Sequence, residues 1–264
     1  MEKSRPILEK NGGQITAVSY DSQKVLQDFA DTHGICFPLL SDHDSTVIRR
    51  FGIFNSNMAP GLRSYGVPHP VDYLVAPDGT VVRKYFVANY QHRVTASAVA
   101  LREFGTVGEH APVVTLKSGA LTVEIGLSGA KAFAGQEIGL LAKFRLEPGW
   151  HVYGAPLPVA YTATSITFDD PKIIRQSFEL PEARPMEIAP PGETLPVYSG
   201  SFQGVGSLLL RFPLDAGETV LSGRLNFQQC SDTACEAPQT IRFELPLTLE
   251  PFMVAPRKKP QDKS

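Results

Sequence analysis

The periodicity of the chain changes near Gly105, and that change constrains the fold more than any other feature. Before it, short β-branched runs alternate with helical stretches. After it, strand-like runs follow one another, separated by turn residues, with no convincing amphipathic helix. Alternating elements need a sheet with helices packed on it, whereas successive strands need a sandwich or barrel. The expectation is α/β followed by all-β: residues 1–105, a boundary at 106–112, and a strand-rich unit over 113–250. The polar tail 251–264 reads as disordered.

In the first segment, residues 15–19 form a short β-branched run. Asp21 or Ser22 then caps a helix whose apolar face is Val25, Leu26, Phe29 and Ala30, and Gly34 closes it. Residues 37–40 are extended and end at Ser41 and Asp42, a second helix start; residues 46–51 follow as a helix stopped by Gly52. Runs at 73–76 and 81–86 flank Pro77-Asp78-Gly79-Thr80, a hairpin turn. A last helix covers 95–104. In the second segment strands are expected at 113–116, 121–127, 138–146, 165–168, 207–212, 219–229 and 240–249.

Hydrophobic content of 42% over 264 residues supports a buried core. A net charge of −2 leaves no basic surplus for nucleic acid. No run approaches the roughly 20 apolar residues of a membrane helix. No zinc-ligand spacing, phosphate loop or hydrolase elbow is present, so no metal or cofactor is expected. His33, His43, His69, His92 and His110 are scattered.

Of three cysteines, two stand close together, as Cys230-Ser231-Asp232-Thr233-Ala234-Cys235. A pair in a turn between strand-like runs fits either dithiol–disulfide chemistry or a static bond pinning a loop. Closing so short a loop contributes roughly 2 kcal/mol of chain entropy. Exchange needs one thiolate to attack a partner disulfide and a second cysteine to resolve the mixed species. The third, Cys36, lies between Ile35 and Phe37 and reads as a small buried hydrophobe, with a resolving or sensing thiol as the alternative.

Three runs of the first segment resemble the AhpC/TSA peroxiredoxin-like branch of the thioredoxin superfamily: Ile15-Thr16-Ala17-Val18-Ser19-Tyr20-Asp21, Gly34-Ile35-Cys36-Phe37-Pro38-Leu39-Leu40-Ser41-Asp42, and the stretch from Gly66-Val67-Pro68-His69-Pro70 to Pro77-Asp78-Gly79. The resemblance implies a thioredoxin-like fold and, in a complete member, an antioxidant peroxidase with its cysteine at the end of the first core strand. Here the chain opens at about the helix that follows that strand, near Arg5-Pro6-Ile7. The fold is expected to be incomplete, the strands at 15–19 and 73–76 lacking their shared neighbour unless another segment fills the gap. Pro68 or Pro70 would be the cis-proline of such folds.

Pro148-Gly149-Trp150-His151-Val152-Tyr153-Gly154, Pro196-Val197-Tyr198-Ser199-Gly200-Ser201-Phe202, and the run from Phe227 through Cys235-Glu236-Ala237-Pro238 resemble the N-terminal domain of the thiol:disulfide interchange protein DsbD. This implies an immunoglobulin-like β-sandwich whose pair, Cys230 and Cys235, exchanges electrons with thioredoxin-like or other disulfide-exchange proteins, Cys235 forming the mixed disulfide. It also implies that Tyr153 lies in a loop covering the disulfide. His151 is a candidate for tuning a nearby thiol, and Trp150 for a packing anchor.

The resemblance implies a periplasmic or otherwise extracytoplasmic setting, although residues 1–6 show no signal peptide. Either the pair is a working dithiol, or the native start lies upstream. The leading reading is a thiol–disulfide oxidoreductase module. The alternatives are a non-catalytic interaction protein with a structural disulfide and a relic redoxin half, and a peroxidase if a catalytic cysteine is restored upstream.

Overall fold

A computed structural model describes residues 2, 5–56, 59–61, 65, 67–86, 92–188 and 192–251. The tail expected to be disordered lies, from residue 252, outside them.

The first part contains α1 (Arg5–Glu9), β1 (Ala17–Ser19), α2 (Gln23–His33), β2 (Leu39–Ser41), α3 (Thr46–Arg50), β3 (Val71–Val75), β4 (Val81–Phe86), β5 (Arg93–Val94) and α4 (Ala96–Phe104). Local chemistry sets the helix ends. The Ser22 hydroxyl accepts from the Val25 N–H, and Gly34 closes α2 in the left-handed conformation at φ 61°. Thr95 and Gly105 do the same for α4.

β1 pairs in parallel with β2, and β3 pairs antiparallel with β4. Among the described residues neither β1 nor β3 has a second strand partner. Two strands cover little: Leu26 of α2 is buried, but Val25 and Phe29 of the same apolar face are about half exposed, as are Val18 and Leu40 on the strand pair. Among the described residues no strand stands between β1 and β3 as their shared neighbour. Instead β5 joins the second part, pairing in parallel with one of its strands.

Neither Pro68 nor Pro70 is cis, against expectation: the cis bonds among the described residues are Ala155–Pro156 and Phe212–Pro213. Pro68 bridges to Phe54, and the His69 N–H donates to the Ile53 carbonyl. This extended pairing is served by the trans form.

The second part is built of β6 (Val113–Ser118), β7 (Leu121–Leu127), β8 (Lys131–Phe133), β9 (Gln136–Leu146), β10 (Trp150–Tyr153), β11 (Ser165–Phe168), β12 (Ile173–Glu179), β13 (Arg184–Ile188), β14 (Glu193–Ser199), β15 (Ser201–Leu210), β16 (Gly217–Phe227), β17 (Gln229–Ser231) and β18 (Gln239–Glu250). One sheet runs β12-β15-β9-β7-β6, with β5 added on β9; a second runs β11-β16-β18-β8; a third runs β13-β14-β10-β17. The inward residues alternate, as Phe243, Leu245, Leu247 and Leu249 of β18 show. They meet Val123, Ile125, Leu140 and Phe144 from the first sheet in one core. This is a β-sandwich. β8, β10, β12, β13 and β14 were not anticipated as strands, and neither was β17, whose Cys230 was expected in a turn.

The two parts share an interface. α4 lies against β9, with Ala100 and Leu101 buried, and the Ser97 and Ser128 hydroxyls are 3.1 Å apart.

Candidate active site

Cys230 and Cys235 are bonded to each other. They face one another across a short antiparallel hairpin, with Cα atoms 4.1 Å apart. The Ser231 N–H donates to the Ala234 carbonyl, and the Glu236 N–H to the Gln229 carbonyl. These bonds bracket the cysteines, making them a non-hydrogen-bonded pair, the register in which opposed side chains lie closest. The turn is held from within, because the Ser231 hydroxyl accepts from the Thr233 and Ala234 N–H groups.

The two cysteines differ in access. Cys230, in β17, is 1% exposed; Cys235, on the return arm, is exposed. β17 is the edge of the third sheet, beside β10. In that register His151 stands opposite Cys230 and Trp150 opposite Ser231. Along β10, Trp150 and Val152 pack on the main core, while His151 and Tyr153 point to the other face.

Tyr153 is fully buried, its hydroxyl 3.2 Å from Cys230 Sγ and 3.6 Å from Cys235 Sγ. Burial, then Tyr161, holds its phenol above the ordinary value, so it keeps the proton it donates. It does not lie in a covering loop, as the resemblance implied: it ends β10, because its backbone is paired to Val197 of β14. Loop 154–164 covers it instead. Leu157 and Tyr161 pack on the cluster of Tyr153, Leu195, Val197 and Cys230, with the Tyr153 and Tyr161 ring centroids 5.1 Å apart. The loop is pinned at each end. Gly154 N–H donates to the Pro196 carbonyl, Thr164 N–H to the Tyr153 carbonyl, and Thr162 N–H to Gln228 Oε1.

His151 is 3% exposed, and its Nε2 has no hydrogen-bond partner among the described residues. Burial, partly offset by the Asp232 carboxylate, holds the imidazole below its ordinary 6.5. Its ring meets the edge of Tyr153, centroids 5.6 Å apart.

A polar network beneath the hairpin escaped the sequence reading. Gln229 and Gln239 both donate to Glu236 Oε2 at 2.7 Å, Gln229 also donates to the Ser118 carbonyl, and Gln228 to the Glu236 carbonyl. Gly119, at φ 54°, leaves room for the Gln229 amide. Tyr198 packs in the sandwich, stacked on Phe202, its hydroxyl donating to the Pro181 carbonyl.

Cys36 is not part of this site, and it is exposed rather than buried. It follows the cap of α2 instead of entering β2, and its N–H donates to the Glu2 carboxylate at 3.0 Å. That neighbour is an anion, not a cation of the kind that activates thiols.

Residues 1–84 match the AhpC/TSA family, and residues 126–247 match the N-terminal domain of the thiol:disulfide interchange protein DsbD. The first part is thus thioredoxin-like, and the second an immunoglobulin-like β-sandwich. Among curated proteins, peroxiredoxin Bcp of Xanthomonas campestris pv. campestris is 34% identical over 98 residues, 36% of this chain and 61% of that protein. Peroxiredoxin Bcp of Escherichia coli K12 is 31% identical over 74 residues, 28% of this chain and 47% of that protein. The chain therefore spans less than two thirds of either relative. The solved N-terminal periplasmic domain of ScsB from Proteus mirabilis is similar at TM-score 0.39 and 17% identity, over 52% of this chain and 50% of that one. The reduced N-terminal domain of Neisseria meningitidis DsbD gives TM-score 0.27 and 14% identity, over 53% and 90%. The two family matches and the Cys230–Cys235 disulfide support a thiol–disulfide redox role. Among the described residues no helix is long and apolar enough to cross a membrane.

Proposed function

We propose that residues 113–250 are a thiol–disulfide exchange module serving a thioredoxin-like partner in an extracytoplasmic compartment, the periplasm by family likeness. The incoming partner thiolate attacks Cys235 Sγ. The Cys230–Cys235 bond breaks, and its electron pair leaves on Cys230 Sγ, where the Tyr153 hydroxyl donates to the new thiolate. A second partner thiolate then attacks the partner's own sulfur in the mixed disulfide and releases Cys235. The partner leaves as a disulfide and the module as a dithiol; the reverse sequence runs by the same contacts.

The observation that carries this reading is the difference between an exposed Cys235 and a buried Cys230 held against Tyr153. A static bond gains nothing from such asymmetry, whereas directed exchange requires it. Loop 154–164, on one side of the hairpin, carries no charged residue, and its Ala155, Pro156, Pro158, Val159 and Ala160 are all exposed.

Redox titration with thiol labelling tests the reading. A midpoint in the range of about −270 to −120 mV, where exchange proteins work, supports it. A midpoint below about −300 mV marks a structural bond and favours the non-catalytic alternative.

A further inference from the structure

We infer that the Cys230–Cys235 pair exchanges with partners in trans, because this chain's own α/β part is held at the opposite pole of the sandwich. The inference rests on the exchange reading and adds which molecule can be the partner.

Two strands measure the separation. At one end of β9, Gln136 and Glu137 pair with Arg93 and Val94 of β5, and Leu101 of α4 crowds Gly139. At its other end, the Leu146 N–H donates to the Gly200 carbonyl, the next residue, Glu147, bonds Ala120, and the Trp150 N–H returns to the Glu147 carbonyl. Trp150 is the residue opposite Ser231 in the cysteine hairpin. Ten steps along β9 at ~3.3 Å each separate these poles by about 33 Å.

β7 gives the same polarity. Beyond Leu127, Ser128 meets Ser97 of α4 and accepts the Gly108 N–H. Before Leu121, the Ser118 carbonyl accepts from Gln229, the neighbour of Cys230.

Cys36 marks the α/β part at the far pole. Its N–H bonds the Glu2 carboxylate, Glu2 is paired with Arg5 of α1 at 2.7 Å, and α1 packs on α4. Disulfide partners need Cα atoms within roughly 7 Å. A tether raises effective concentration only when geometry lets both groups meet. Here it does not, so covalent linkage gives the α/β part no advantage as a partner. What fits the exposed hairpin is a separate protein carrying its own redox-active cysteine pair.

The test uses the whole chain as Cys230→Ser, with Cys230→Ala as a second variant in case the hydroxyl disturbs folding. Each leaves the thiols of Cys36 and Cys235. Dilute protein is treated with diamide, which takes two electrons and two protons per disulfide formed, alone or with reduced thioredoxin retaining one active-site cysteine. Peptide mapping then assigns the bonds. The expected result is a Cys235–thioredoxin disulfide, Cys235-linked dimers whose yield rises with concentration, and no Cys36–Cys235 bond within a chain. A concentration-independent Cys36–Cys235 bond, alongside the thioredoxin adduct, would overturn the inference and leave the exchange reading standing. Absence of any Cys235 adduct with thioredoxin would overturn the exchange reading and this inference with it.

Discussion

The hydroxyl of Tyr153 stands 3.2 Å from the buried sulfur of Cys230, and 3.6 Å from that of Cys235. It is therefore placed to donate to whichever sulfur takes up charge, and burial makes Cys230 the one without water. Hydrogen bonds to charged groups contribute about 1.5–3 kcal/mol. Tyr153→Phe keeps the ring and its packing and removes only this donor. Reduction by thioredoxin is expected to slow roughly ten- to hundredfold. Stopped-flow kinetics on the folded variant checks this, with urea midpoints controlling for stability.

His151 predicts a pH dependence of stability. Its folded value lies below its ordinary 6.5 because burial disfavours the imidazolium. As pH falls through about 6.5, the unfolded chain takes up the proton first, so stability drops from there until the lower folded value is passed. Above that window the contribution is complete. His151→Phe removes the titration, and the gap between wild type and variant should shift in the variant's favour as pH falls from 7 to 5. Parallel slopes in urea melts across that range would count against the assignment.

Gly119 predicts a cost in the support of the hairpin. Its φ of 54° suits glycine, and an added Cβ would collide with the Gln229 side-chain amide. Gly119→Ala is expected to destabilise the protein by about 1–3 kcal/mol. Amide exchange in the cysteine hairpin should speed up with it, because Gln229 is one of two glutamines, with Gln239, that tie Glu236 to Ser118 of the first sheet.

How far the sequence revealed the fold depended on how local the determinants were. The caps of α2, the Asp78-Gly79 turn, and the strand runs of β16 and β18 are short-range patterns, and they were legible. β10 and β14 were not. One is four residues long and the other contains Pro196, and both are strands because they pair with each other and with β17. Periodicity marked an apolar face on α2 but not that Val25 and Phe29 would stay exposed, since burial depends on what packs opposite. The cysteine pair was readable from spacing and neighbouring motifs. Its network was not, because Ser118 and Gln229 are 111 residues apart and meet only in the folded sandwich.

The central claim is that Cys235 is the sulfur a partner reaches and Cys230 the one held in reserve. The most direct measurement compares Cys230→Ser with Cys235→Ser, each mixed with thioredoxin whose single cysteine is activated by thionitrobenzoate. Released thionitrobenzoate reports the rate, and mapping confirms the bond. Fast mixed-disulfide formation by Cys235 in the first variant, with little by Cys230 in the second, is the predicted result. Equal rates, or faster reaction at Cys230, would contradict it.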